Sequence, residues 1–151
     1  MFAHRANHAW KFAAAFLLAA GAAFAALVTT SPDREEAQSA ILREKILNAL
    51  PVQRPALLRR LREQSPELSQ PLLIELLGHE QGDVVLAAQN ELHATLADWR
   101  SLPIEKSSPR VMTLAAALAE EAADFSPAGQ AAATTLAREI LHWPTPADNA
   151  R

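Results

Sequence analysis

A pattern of apolar residues occurs twice in this chain, 44 residues apart. The pattern A-A-x(3)-L-x(3)-[LI]-x(2)-W runs from Ala87 to Trp99 and again from Ala131 to Trp143. Its two tryptophans are two of only three in the protein. Apolar residues three and four positions apart share one face of an α-helix, so each copy predicts an amphipathic helix. The recurrence therefore predicts two helices that use equivalent positions to face a core.

The shared positions form the predicted core of a structural repeat. They are Ala88, Leu92, Leu96 and Trp99 in the first copy and Ala132, Leu136, Ile140 and Trp143 in the second. Small residues near the start of a helix allow a neighbour to approach closely, and leucines further along fill the space between repeats. Because the two tryptophans hold equal positions, we interpret them as packing residues at helix ends and not as ligand-stacking groups.

The composition favours an all-α protein with one globular domain. Half of the 151 residues are hydrophobic, tyrosine is absent and glycine occurs four times, which leaves little material for strands. The chain contains no cysteine, so disulfides, thiolate metal sites and cysteine nucleophiles are excluded.

Prolines and helix-capping residues divide the chain after residue 30 into six predicted helices. They cover about 31–50, 54–64, 67–78, 83–99, 109–125 and 127–143. We expect Asp83 to cap the fourth helix and 100–109 to form a loop. The predicted helical repeat domain therefore spans 31–143, and the tail 144–151 is predicted to be disordered.

The N-terminal segment 1–30 contains an apolar run, 12–28, without a charged side chain. Its length suits a retained membrane anchor, whereas Ala23-Phe24-Ala25 offers a cleavage pattern for a secretory signal. Both interpretations share one topology. Because Arg5 and Lys11 precede the run and acids follow it, the N-terminus is expected in the cytoplasm and the helical domain outside it, either as a single-pass membrane protein or as a secreted or periplasmic one.

The charge of the exported part argues against a nucleic-acid partner. Without segment 1–30 the chain has 12 basic and 17 acidic residues, a formal charge of −5. Its one basic cluster is Arg54, Arg59, Arg60 and Arg62. We expect these arginines on the solvated face of an amphipathic helix, and contact with anionic lipid headgroups is the alternative.

Catalytic and metal-binding patterns are sparse, so neither catalysis nor a cofactor is expected. Glu75, His79 and Glu80 would make at most a weak metal site, and we interpret His79 as a helix C-terminal residue whose partial positive charge suits the helix dipole. His93 is predicted to lie on the solvated face of the fourth helix.

The stretch "LIELLGHEQGDVVLAAQNEL", Leu73 to Leu92, resembles a HEAT repeat: two leucine-rich turns, a short turn, and then valine, alanine and leucine positions. The resemblance centres on 72–99 and 111–143. It implies a short, divergent α-solenoid of about six helices, after the N-terminal hydrophobic helix, and a role in protein binding. The partner itself is not identified by the resemblance.

The leading functional hypothesis is a non-catalytic, membrane-anchored or exported scaffold or protein interaction module of a bacterium. Solenoids bind partners with second-helix side chains that packing leaves free, and Gln89, Asn90 and His93 are the candidates. The alternative comes from "ILNALPVQRPALLRRLREQSPEL", which after an N-terminal hydrophobic segment resembles small periplasmic metal- or stress-sensing helical proteins and chaperones.

Overall fold

The computed structural model describes residues 32–144, and these form six α-helices and no strand. The helices are α1 (Pro32–Leu47), α2 (Arg54–Gln64), α3 (Pro66–Leu77), α4 (Gly82–Arg100), α5 (Ile104–Glu121) and α6 (Pro127–Leu141). The predicted all-α class is therefore confirmed for this part of the chain. The apolar run 12–28 and the tail after Pro144 lie outside the described residues.

The chain consists of two compact units, and the boundary between them lies between Gln38 and Ser39. The boundary falls within α1, and every contact discussed below lies in the unit that begins at Ser39. Within the described residues, no helix combines the length and the apolar character needed to cross a membrane.

Helix α4 lies at the centre of this unit and contacts α2, α3, α5 and α6. Its inward face is apolar and includes Leu92 and Leu96, which have no exposed surface. Leu136 of α6 is likewise fully buried, and of the eight predicted core positions only Ile140 is partly exposed. Burial of this many leucines and alanines supplies the main favourable free energy of folding.

Helices α2, α4 and α6 run in the same direction. At the N-terminal ends of α2 and α4, Arg54 pairs with Asp83, and further along Arg62 pairs with Asp98. The start of α6 lies beside the residues just before α4, and the ends of α4 and α6 meet where Arg100 lies over the ring of Trp143. Parallel neighbours that are joined through an intervening helix therefore form one layer.

The turn before α4 and the turn before α6 touch each other. Ser126 donates from its hydroxyl to the carbonyl of His79 at 2.8 Å, and its backbone N–H donates to the carbonyl of Gly78 at 3.3 Å. The same hydroxyl accepts the N–H of Gly129 at 3.1 Å and so caps α6. One serine thus both starts a helix and joins two turns.

Two local predictions were wrong. Helix α5 begins at Ile104, so most of the predicted loop 100–109 is helical and Pro109 lies inside the helix. A proline in the second turn loses only one backbone hydrogen bond, and packing of this helix outweighs that loss. Asp83 does not cap α4, because the N-cap position falls two residues earlier, at Gln81, and the carboxylate of Asp83 pairs instead with Arg54.

Candidate functional site

The three predicted binding residues lie along α4, but they are not equally exposed. Asn90 is exposed, whereas Gln89 and His93 are half-buried. His93 Nδ1 lies 2.5 Å from Glu139 Oε2 of α6, and Gln89 Nε2 lies 3.4 Å from His93 Nε2. The expectation of a solvated His93 was therefore wrong, because the parallel neighbour α6 covers that side of α4.

Glu139 also pairs with Arg100 of α4. Arg100 Nη2 lies 3.2 Å from Glu139 Oε1, and the Arg100 guanidinium lies 5.5 Å from the centre of the Trp143 ring. His93 and Arg100 therefore both join α4 to α6. Asn90 remains open to solvent beside Leu86, a leucine one turn earlier that is also exposed. A role of Gln89, Asn90 and His93 in binding a partner stays a prediction.

On the opposite flank of α4, the predicted solvated basic cluster is partly used by the fold. Arg62 Nε donates to Glu91 Oε2 at 3.0 Å, and Arg62 also pairs with Asp98. Desolvation alone would lower the pKa of Arg62, but the carboxylates of Glu91 and Asp98 outweigh it and raise the pKa. Arg62 therefore joins α2 to α4 and is not a free surface charge.

Arg54 was also expected in solvent and is buried. Its Nε donates to the carbonyl of Ile46 at 3.2 Å and its Nη2 to the carbonyl of Leu47 at 3.0 Å. These carbonyls belong to the last two residues of α1, and that of Ile46 also accepts the backbone N–H of Ala49 at 3.2 Å. Arg54 therefore binds the end of α1 while it pairs with Asp83 of α4. Only Arg59 and Arg60 of the basic cluster are exposed in the expected way.

Two of the three residues considered for a weak metal site, Glu75 and His79, have other partners. Glu75 pairs with Arg43 at 2.5 Å, and this hydrogen bond and charge raise the pKa of Arg43. His79 Nδ1 accepts the backbone N–H of Gln81 at 3.1 Å. Within residues 32–144, no three histidine, aspartate or glutamate side chains come together in a way that would hold a metal ion.

A feature that the sequence reasoning missed is an apolar groove of about 510 Å³ between α5 and α6. Five alanines line it: Ala115, Ala119 and Ala122 on one side, and Ala133 and Ala137 on the other. Leu118, Ile140 and Leu141 complete its apolar lining, and Gln130 and Thr134 are its polar residues. All the residues that line the groove belong to α5, to Ala122 directly after it, or to α6, so within the described chain no other helix lines it.

Spacing offers a signal for this groove in the sequence. Ala115, Ala119 and Ala122 lie four and three residues apart, and Ala133 and Ala137 lie four apart. Such spacing places small side chains on one helix face. The pattern alone does not show which helices face each other, so the groove becomes visible only when α5 and α6 are packed side by side.

Comparison of this chain with models of known protein families, with curated proteins and with solved structures gives no match.

Proposed function

We propose that this chain is a non-catalytic protein interaction module built from helical repeats, and that residues 12–28 anchor it in a membrane or direct its export. The observation that carries the proposal is the apolar groove between α5 and α6. Large uncovered apolar patches on folded proteins mark interaction sites, because covering them removes hydrocarbon from water. A partner that covers this groove would gain free energy in the same way.

The succession of helices supports a repeat of three pairs: α1 with α2, α3 with α4, and α5 with α6. In a helical solenoid each pair packs on the next, so that second helices become parallel neighbours. Helices α2, α4 and α6 are the second helices of the three pairs, and they are parallel neighbours as this arrangement requires. First helices also touch, since α3 contacts α5.

A second recurrence links the first helices of the last two pairs. Ser69 and Pro71 lie in the second turn of α3, and Ser107 and Pro109 hold the same positions relative to the start of α5. Both serines are buried, and each donates to the carbonyl of the first residue of its helix, at 2.9 Å from Ser69 and 3.5 Å from Ser107. Equivalent residues in equivalent places support a duplicated unit.

The groove lies on the last of the three pairs, beyond which no further described helix packs. Terminal units of a solenoid need a polar outer face to stay soluble on their own. Here five alanines, Leu118 and Ile140 line that face, Gln130 and Thr134 are its polar residues, and Leu141 is exposed. An uncovered end of this composition favours docking of another helical surface there.

A photo-reactive amino acid placed at Ala119 tests the proposal in the full-length chain. Ala119 lies within the groove and is exposed, so the substitution should leave the fold intact, as checked by circular dichroism. Irradiation in the native membrane should give a covalent adduct of one discrete mass. The same reagent at Glu63, which is exposed on α2, is the matched control and should give little adduct.

Equal adduct yields at Ala119 and Glu63, or no adduct at Ala119, would contradict a docking role for the groove.

A further inference from the structure

We infer that the turn between α1 and α2, residues 48–53, enters the headgroup region of an anionic lipid bilayer, and that exposed basic residues of both helices hold it there. The inference rests on the membrane-anchor part of the proposed function, because an anchor at 12–28 keeps the domain close to a bilayer. Three features of the turn carry it: its exposed apolar side chains, its backbone hydrogen bonds and the charge around it.

The turn presents three consecutive apolar residues to solvent. Val52 is exposed over 82% and Leu50 over 61% of its surface, and Pro51 between them is exposed as well. Single exposed apolar residues are common on folded proteins, but here three follow one another at the tip of a turn. Such a tip gains free energy when its side chains leave water for hydrocarbon.

The backbone of the turn is suited to a less aqueous environment, where polar groups without a hydrogen-bond partner are costly. The carbonyl of Leu50 accepts the N–H of Gln53 at 2.8 Å and that of Arg54 at 3.3 Å. Pro51 has no N–H to satisfy. The carbonyl of Gln53 accepts the N–H of Leu57 at 3.1 Å. These groups therefore have partners before the side chains leave water.

The charge around the turn is positive, although the chain as a whole is acidic. Residues 45–62 contain five basic residues and form the longest stretch without an acid in the described chain, with Glu44 and Glu63 just outside it. Arg54 and Arg62 are paired with acids of α4. The other three bases of the stretch, Lys45, Arg59 and Arg60, are exposed.

These bases lie on both sides of the apolar tip. Lys45 belongs to the last turn of α1, and Arg59 and Arg60 belong to the second turn of α2. Anionic headgroups attract basic side chains close to their surface, whereas they repel the acids that predominate elsewhere on this chain. A bilayer also offers hydrocarbon directly beneath its charged headgroups, which suits an apolar tip flanked by bases. A nucleic acid would match the charge but not the tip.

A fluorescent probe on a single cysteine tests the inference in the full-length chain, which has no native cysteine. Val52→Cys is labelled with an environment-sensitive nitrobenzoxadiazole dye and reconstituted into vesicles of phosphatidylcholine and phosphatidylglycerol, with or without bromine on the acyl chains. The emission of this probe should shift to shorter wavelength and be quenched by the brominated lipid.

Leu141→Cys is the matched control for this labelling. Leu141 is exposed over 80% of its surface, and it lies at the end of α6, whereas the turn precedes the start of the parallel helix α2. A probe at residue 141 should show neither the shift nor the quenching.

Charge reversal tests the anionic headgroups. Arg59→Glu combined with Arg60→Glu should lower the ratio of lipid-embedded to solvent-exposed Val52 probe about tenfold or more in vesicles that contain phosphatidylglycerol. Arg110→Glu combined with Arg138→Glu is the control, because it changes the net charge equally at exposed residues of α5 and α6. That variant should keep most of the quenching.

Equal quenching of the probes at residues 52 and 141 would overturn the inference. Quenching that Arg59→Glu with Arg60→Glu leaves unchanged would overturn the anionic surface as the occupant. Flotation of the vesicles tests the anchor separately. A chain that does not float with them contradicts the proposed anchor and this inference together, whereas a chain that floats with an unquenched Val52 probe contradicts this inference alone.

Discussion

Gly129 shows how one residue sets the distance between two turns. A Cβ atom at this position would lie 2.3 Å from the carbonyl oxygen of Leu77 and 3.1 Å from the Cβ of Phe125. A backbone carbonyl cannot swing aside as a flexible side chain does. The contact between the start of α6 and the end of α3 therefore depends on the absence of a side chain at residue 129.

Gly129→Ala is expected to lower the free energy of unfolding by about 1–3 kcal/mol, as overpacking in a dense interior does. Gly82→Ala is the matched control, because Gly82 also lies in the first turn of a helix but its added Cβ would meet nothing within 4 Å. That control should be neutral or stabilise by up to about 1 kcal/mol. Urea denaturation measures both, and equal stability of the two variants would contradict the close contact.

Leu92 and Leu136 are expected to contribute similarly to stability, since both are fully buried at the two positions that the recurrence equates. Replacement of either by alanine should cost about 2–5 kcal/mol. Leu86→Ala on the exposed side of α4 should change stability by less than about 0.5 kcal/mol. Thermal or chemical melts of the three variants compare them, and a neutral Leu136→Ala would remove the 44-residue register.

Burial of single residues was the part that the sequence predicted best. The eight recurrent core positions follow from helical periodicity, which requires only local spacing. His93 was misjudged because its partner, Glu139, is 46 residues away, and periodicity on one helix contains no information about a neighbour at that separation. Arg54 was misjudged for the same reason, since its partners come from α1 and α4.

At the scale of whole helices, Arg54 connects elements that the sequence treats as separate. Its guanidinium binds the last carbonyls of α1 and the carboxylate of Asp83 in α4 at once. A neutral truncation would leave two helix-end carbonyls without this donor and Asp83 without its cation. Arg54 is therefore more important to the fold than its place in a run of arginines indicates.

Arg54→Ala is expected to lower the free energy of unfolding by about 2–3 kcal/mol, because hydrogen bonds that involve a charged group are lost from a buried site. Arg60→Ala, on the exposed face of the same helix, should change it by less than about 0.5 kcal/mol. Guanidinium denaturation followed by circular dichroism compares the two. If both variants are equally stable, Arg54 is not the connection between α1 and α4 that the contacts indicate.

Helix boundaries were predicted where proline or serine stands at an end, as at Pro55 in the first turn of α2 and at Pro127. The start of α5 was predicted wrongly because either Pro103 or Pro109 could mark the beginning of the helix, and the sequence does not distinguish between them. Pro109 is tolerated inside the helix, where the side chains that pack, Val111 and Leu114, follow it. Tertiary packing, which local propensity cannot represent, decides such cases.

For the molecule as a whole, the all-α class could be predicted from composition, but the apolar groove could not. A groove is a relation between two helix faces, and neither the alanines of α5 nor those of α6 indicate alone which face is left uncovered.

The topology of the whole chain yields a prediction from residues 1–36. Arg5 and Lys11 precede the apolar run, whereas three acids and one arginine, Arg34, follow it closely. Because the more positive side stays in the cytoplasm, the C-terminus is expected outside it. A reporter active only outside the cytoplasm, fused after Arg151, should function, and the chain should fractionate with membranes unless it is cleaved after Ala25. Activity at that junction of a reporter confined to the cytoplasm would contradict this topology.

The buried tryptophans at the ends of α4 and α6 give the chain a built-in optical probe. With no tyrosine in the sequence, fluorescence excited at wavelengths that phenylalanine does not absorb comes only from indole rings, and Trp10→Phe would restrict it to Trp99 and Trp143. Each of these is 9% exposed, so a red shift in emission would show that an indole ring at the end of α4 or α6 has become exposed to water. A single introduced cysteine would then carry an acceptor dye, so that energy transfer reports the distance from the two remaining tryptophans to the labelled position.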